Sequence, residues 1–264
     1  MPYWEIPKET QAAVDAISLP DAAYWKAQFW ADSDAFRSFA AADRQGLRVL
    51  KLYQLVAEDT ARWYAAQGIP EAVLRDSLRD VGIWCRDYLQ ANGCPGFAAW
   101  EWLALTLRGR LFRLGRLQFE PAVLPLPLGE YPAGTPVLEV HIPAEAPLDT
   151  AAVQESLAAA PGFFKRYFGT EYGLFHCYSW LLAPGLQQLL PADSRILRFQ
   201  ALFSLAAVEK DSRQAEERIF GTIQQDPAAY PEATSLQCAA KAFLCSGGRI
   251  GAGHGLRKIC LRKI

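Results

Sequence analysis

Near residue 108 the spacing of the apolar residues changes, and that change limits what this chain can fold into. From Gly46 to Ala66, Leu47, Val49, Leu50, Tyr53, Val56, Trp63 and Tyr64 recur mainly at intervals of three and four, with Lys51, Glu58, Asp59 and Arg62 between them. That spacing lines one side of a helix, and Gly68 supplies a stop. Pro70 then sits where a first helical turn tolerates it, and Glu71 to Gln90 repeats the pattern through Val73, Leu74, Leu78, Val81, Trp84 and Tyr88. A further helix is predicted from Pro95 through Trp100, Trp102, Leu103 and Leu107. Beyond Arg108, Arg110, Arg113 and Arg116, and a proline-rich connection from Glu120 to Pro136, the period becomes two. In Val137–Ile142, Leu138, Val140 and Ile142 share one face of a strand while Glu139 and His141 share the other.

From there strands and helices alternate. A helix is predicted to start at Asp149 or Thr150 and to lead into the aromatic patch Phe163–Phe168. Phe175–Leu182 reads as a strand with Phe175, Cys177, Ser179 and Leu181 on one face and His176, Tyr178, Trp180 and Leu182 on the other, running into a short helix. Ser194–Phe203 is predicted as another alternating strand, which puts Gln200 as well as Gln118 on strands among apolar neighbours. Helices follow over 215–221 and 235–244, and Arg249–Ile264 reads as a terminal glycine-rich strand. Helices first, then strands mixed with helices, make an α+β chain.

The net charge of −1 argues against a general nucleic-acid binder, whose footprint is basic. The prolines at 121, 125, 127, 132 and 136 interrupt the most apolar region, so no membrane span is predicted. Six cysteines without a C-x-x-C pair, and no signal-peptide pattern at the start, point to reduced thiols in a cytoplasm. Three histidines far apart in sequence, without a spaced partner, predict no metal site. The expected partner is a small molecule or a peptide. Tryptophans at helical spacing, including Trp63, Trp84 and Trp100, read as core.

Four stretches carry a resemblance: Gly115–Phe119, Val137–Pro143, Cys177–Leu182 and Gly247–Gly255. Together they resemble a bacterial acyltransferase-like family with an N-acyltransferase-type helical N-terminal domain and a GNAT-like C-terminal domain, over nearly the whole chain. The resemblance implies a helical region over 1–107 packed on a GNAT-like mixed sheet flanked by helices over 108–264. It implies acyl transfer from an acyl-CoA co-substrate, without a metal, to the amine of a small molecule or peptide. In such proteins a central strand splays from its neighbour and its backbone pairs with the pantetheine arm. By order, Val137–Ile142 corresponds to that strand, with Val140 and Ile142 beside the cofactor, and Phe175–Leu182 corresponds to the neighbour. Gln118 is a further residue for the cofactor.

Amine acylation needs a base that frees the nucleophile of its proton near working pH, and Glu139 and His141 are the candidates on the central strand. Cys177, Ser179 and Trp180 complete the candidate cleft, Cys177 with a thiol that could form an acyl intermediate assisted by His141 or His176. Each has a plainer reading, as a strand pair in water, an inert packed thiol or a core aromatic. Two features depart from the family pattern. The loop Pro143–Asp149 carries two acids and no glycine where GNAT proteins carry a glycine loop for pyrophosphate, and Ala183–Leu190 lacks the usual tyrosine acid. The alternative is therefore a non-catalytic GNAT-like ligand-binding module. The arginines at 108 to 116 read as a solvated face.

Overall fold

The computed structural model describes residues Trp4–Ile259. Cys260 and the end of the predicted terminal strand lie outside the described residues. Two compact units divide the chain. The first runs up to Glu120 and includes Ile142–Glu145; the second holds Pro121–His141 and the chain from Ala146 onward.

The first unit is helical, as its period requires. It contains α1 (Lys8–Asp15), α2 (Ala22–Trp30), α3 (Asp34–Ala42), α4 (Leu47–Ala66), α5 (Glu71–Asn92) and α6 (Trp100–Leu107). The last of these starts five residues after Pro95, so the predicted helix entry is too early: Pro95 to Ala99 is irregular connection. Phe29, Phe36, Tyr53, Tyr64 and Phe97 are fully buried, whereas Trp63, Trp84 and Trp100 are half-buried at the margin of that core and Trp30 is exposed. Gly46 enters α4 at φ +68, and a Cβ there would stand 1.8 Å from the Phe97 carbonyl oxygen.

A polar network crosses this core. Asp80 of α5 accepts hydrogen bonds from Trp102 Nε1 at 3.0 Å and from Gln118 Nε2 at 2.7 Å. Arg113 lies 4.0 Å from the Asp80 carboxylate and 2.5 Å from Glu145. Burial pushes the Asp80 carboxyl above its ordinary range, and the bonds from Trp102 and Gln118 and the Arg113 charge oppose that rise. This corrects the solvated-face reading for Arg108, Arg113 and Arg116, while Arg110 is 57% exposed as that reading has it. Arg113 and Arg116 are 5% and 8% exposed, and Arg108 donates two bonds to the Phe29 carbonyl beneath its cation–π contact with that ring. Paired charge, not a free run, is what brings them inside.

The strands are β1 (Phe112–Leu114), β2 (Leu117–Val123), β3 (Pro136–His141), β4 (Leu174–Ser179), β5 (Ser204–Glu209) and β6 (Ala252–Lys258), in the spatial order β1-β2-β3-β4-β6-β5. β3 and β4 are parallel, and β6 is antiparallel to both β4 and β5. Between β3 and β4 runs α7 (Thr150–Phe168), whose cap is Asp149, accepting the Ala152 N–H at 3.0 Å. After β4 the chain makes a 3-10 turn over Trp180–Leu182, then α8 (Leu186–Leu189) and α9 (Arg195–Gln200); α10 (Gln214–Phe220) and α11 (Ser235–Cys245) precede β6.

The segment predicted as a strand over 194–203 is therefore a helix followed by a turn. Ser194 accepts the Leu197 N–H at 3.1 Å and so caps α9, and Ile196, Leu197 and Phe199 turn inward on a helical spacing. The strand begins just after, at Ser204, with half-exposed residues that carry a weak period-two signal. Gln200 thus stands on a helix, where its amide donates to the carbonyls of Leu181 and Ala183 at 2.9 and 3.0 Å.

Candidate functional site

The parallel register of β3 and β4 sets Leu138 beside Phe175 and Glu139 beside His176. Across β4 the antiparallel register sets Tyr178 beside His254, and β6 in turn sets His254 beside Ala207. Alternation then collects Glu139, His176, Tyr178, His254 and Glu209 on one face of four neighbouring strands.

Glu209 owes its place to a fault in the ladder. Leu205 pairs with Gly255, but the register shifts at Ala206, and Ala207 pairs with His254. Without the extra residue, Glu209 would project from the other face with Leu205. The bulge turns it toward the imidazoles.

These side chains form one hydrogen-bonded row. Glu139 Oε2 meets His176 Nδ1, His176 Nε2 lies 3.0 Å from His254 Nδ1, and His254 Nε2 lies 3.1 Å from Glu209 Oε1. The two imidazole rings stack at 5.3 Å and 16°, and the Tyr178 ring stacks on His254 at 4.5 Å. Its hydroxyl donates to Glu209 Oε2 at 2.5 Å, with Ser212 Oγ 3.2 Å away. His176 and His254 are 2% and 4% exposed, whereas the Glu209 side chain is 52% exposed. Glu139, at the other end, is 16% exposed, so the two imidazoles are the buried middle of the row and Glu209 is its most open end. The bond from Tyr178, and then that from His254, holds the Glu209 carboxyl below its ordinary range, while partial burial and Glu209 push the Tyr178 hydroxyl up.

Proton counting shows what the row can do. Three contacts join four groups, and each contact needs one proton. Ionised carboxylates bring none and a neutral imidazole brings one, so two neutral histidines between two carboxylates fall one short. The row completes its bonds by taking up one further proton, as an imidazolium or a carboxylic acid. The row can therefore exchange one proton along its length.

Beside it the sheet opens. β3 and β4 are paired at only two positions, 138 with 175 and 139 with 176. Beyond them the Tyr178 N–H turns to the Glu139 carboxylate, at 3.3 Å, where a continued ladder would offer a backbone carbonyl. Val140 lies past the last paired residue of β3.

The sequence-derived candidates fall in several places. Glu139 is in the row, and His141 lies two residues further on the same strand face. Ile142 follows the end of β3, and Gln118 binds Asp80 in the helical unit. Cys177 is fully buried on the opposite face of β4, where burial and the Glu139 charge push its thiol well above the ordinary range. Such a thiol has the character of a packing residue. Ser179 accepts the Leu181 N–H at 3.1 Å and so caps the 3-10 turn, and Trp180 packs on the cluster around Ala183, Leu186 and Tyr230. His176, His254 and Glu209 were not singled out together because their proximity depends on strand register and on the bulge. The one signal in the sequence was the polar face of Phe175–Leu182.

Comparison with known proteins agrees with this architecture. Two solved structures are similar over 97% of this chain and 85% of theirs, each with a TM-score of 0.81: an acyltransferase in complex with decanoyl-CoA and teicoplanin, at 26% identity, and an acyltransferase in complex with decanoyl-CoA, at 25%. No curated protein matches the sequence. Residues 3–109 match the model of an N-acyltransferase N-terminal domain, and residues 111–257 match that of a GNAT-like C-terminal domain. With its mixed sheet and helical first half, the chain belongs to the family that joins an N-acyltransferase N-terminal domain to a GNAT-like C-terminal domain.

Proposed function

We propose that this protein transfers an acyl group from a CoA thioester to the amine of a small molecule or peptide, with the row from Glu139 to Glu209 receiving the amine's proton. The observation that carries the reading is that hydrogen-bonded row of two imidazoles between two carboxylates, beside strands that part after two residue pairs. The two acyltransferases described above bind decanoyl-CoA, and one of them teicoplanin, which supports a thioester donor and a peptide-type acceptor.

In the reaction the amine nitrogen attacks the thioester carbonyl carbon. The N–C bond forms, the C–S bond breaks, and the nitrogen gives up one proton as the thiolate leaves and is protonated. Glu209, the most exposed member, is the group an acceptor reaches first; His254 and His176 link it to Glu139. His141 remains a second base on the same face of β3. Val140, past the end of the ladder, offers its backbone to the pantetheine arm, and Ile142 follows it.

A non-catalytic binding module is the second reading, favoured by the loop before α7. Asp149 already caps that helix, and Glu145 is held by Arg113. Release of CoA thiol from decanoyl-CoA in the presence of amine acceptors separates the two. Turnover lost in both Glu139→Gln and His176→Asn, with unchanged melting temperature, supports transfer. Tight binding of decanoyl-CoA without turnover on any amine supports the module.

A further inference from the structure

On the face of the sheet opposite the imidazoles lies an open groove of about 520 Å³. Its walls are Leu182, Leu190, Leu197, Phe203 and Leu205, and its floor is Gly255. No lining residue is charged. The two amides at its margin are occupied within the protein, Gln200 by the carbonyls of Leu181 and Ala183 and by Gln187 at 3.4 Å. Leu205 is 48% exposed there, so apolar surface is left facing water.

The groove is built. A Cβ at Gly255 would stand 2.6 Å from Leu182 Cδ1 and 2.9 Å from Phe203 Cβ, so glycine is what lets those two walls meet above the strand. Gly255 is also the register partner of Cys177 on β4, and β3 is the next strand beyond. At the usual strand spacing the floor is roughly 10 Å from the strand proposed to receive the thioester.

We infer that this groove holds the alkyl chain of the acyl donor and selects medium-chain over acetyl thioesters. The inference rests on the donor reading above. The chemistry is that of an alkyl chain: mostly apolar walls, no charge to satisfy, and polar groups confined to the margin. A cavity of about 150 Å³ takes the six carbons of benzene, so a ten-carbon chain has room here.

The test is calorimetric titration of CoA, acetyl-CoA and decanoyl-CoA into the wild type and into Ala201→Trp and Ala192→Trp, two exposed groove residues on separate segments. Each fully buried methylene tightens binding about fourfold. Decanoyl-CoA is therefore expected to bind at least about 100-fold more tightly than acetyl-CoA to the wild type. Both variants are expected to lose at least about tenfold of that advantage while their affinity for CoA itself stays within about twofold. A full chain-length advantage retained in both folded variants overturns the groove assignment. If neither CoA nor decanoyl-CoA binds the wild type, the donor reading falls instead. Decanoyl-N-acetylcysteamine then decides the groove alone: binding lost in both variants keeps it as an alkyl site, and no binding to the wild type removes it.

Discussion

Asp80 and Glu139 are both carboxylates received by donors inside the protein, yet their surroundings are built to opposite ends. Around Asp80 the donors are Trp102 and Gln118, with the Arg113 charge 4.0 Å away, groups that do not exchange protons near neutrality. Around Glu139 the donor is an imidazole, followed by a second imidazole and a carboxylate that reaches solvent. In the first network Asp80 is the one of these four side chains that titrates below neutrality. The second links two imidazoles, which exchange protons near neutrality, to a carboxylate at the surface. A buried polar network therefore becomes a candidate for chemistry through the type of its members and the direction it runs, and not through burial.

Four experiments put this contrast at risk. The largest effect is expected at the row. Glu139→Gln and His176→Asn should each lower turnover by about 10²- to 10⁴-fold, and the double variant should be little worse than either alone, because one relay is lost once. Initial-rate measurements of CoA thiol release check it, and additive losses would argue against a shared relay. Next, Asp80→Ala should lower stability by about 3–5 kcal/mol in urea unfolding, since it strands Arg113, Trp102 and Gln118 together, while turnover per folded molecule stays unchanged. If Asp80→Ala folds normally and loses turnover instead, the contrast between the networks fails.

The two networks should also respond to pH with opposite sign. Asp80 has its pKa raised above 3.8 in the folded protein, so the folded state holds the proton more tightly and this contribution to stability falls as pH rises through the window above that value. Glu209 has its pKa lowered below 4.5, so its contribution is present above that value and is lost as pH falls through the folded one. Unfolding curves of Asp80→Asn and Glu209→Gln, each compared with wild type from pH 3 to pH 7, should diverge in opposite directions. Parallel curves would mean that neither carboxyl is held as described. The smallest effect is expected for Tyr178→Phe, which keeps the ring stacked on His254 and removes the hydroxyl from Glu209 and Ser212. About 1 kcal/mol of stability or less should be lost, with a several-fold fall in turnover.

Much of the fold was legible because its helices are long and periodic. α4, α5 and α7 lie where their apolar spacing and caps put them, and β3 has the alternation read from Val137–Ile142. The failures are short elements. Over 194–203, Leu197, Phe199 and Phe203 also alternate, and a capped six-residue helix cannot be told from a strand by so few residues. The arginines misled for a different reason: whether a charge is inside depends on partners such as Glu145 that are remote in sequence. The site was half legible. Glu139 could be found on its strand, but its partner is His176, 37 residues away, and not His141, two away. Pairing between strands is a long-range property, and a bulge such as that at Ala206 leaves no clear mark in composition.

One feature of β6 bears on how such a site is inherited. His254 stands between Gly253 and Gly255, and a Cβ at either glycine would lie 2.6 Å from an atom of Leu182. The turn after β4 rests directly on the bare side of that strand. Any single codon change at 253 or 255 that adds a side chain must lift the turn or tilt the strand, and with it the imidazole on the far side. Mutational tolerance should therefore be narrow at two positions with no chemistry of their own, and a drifting lineage could lose the row without altering any of its members.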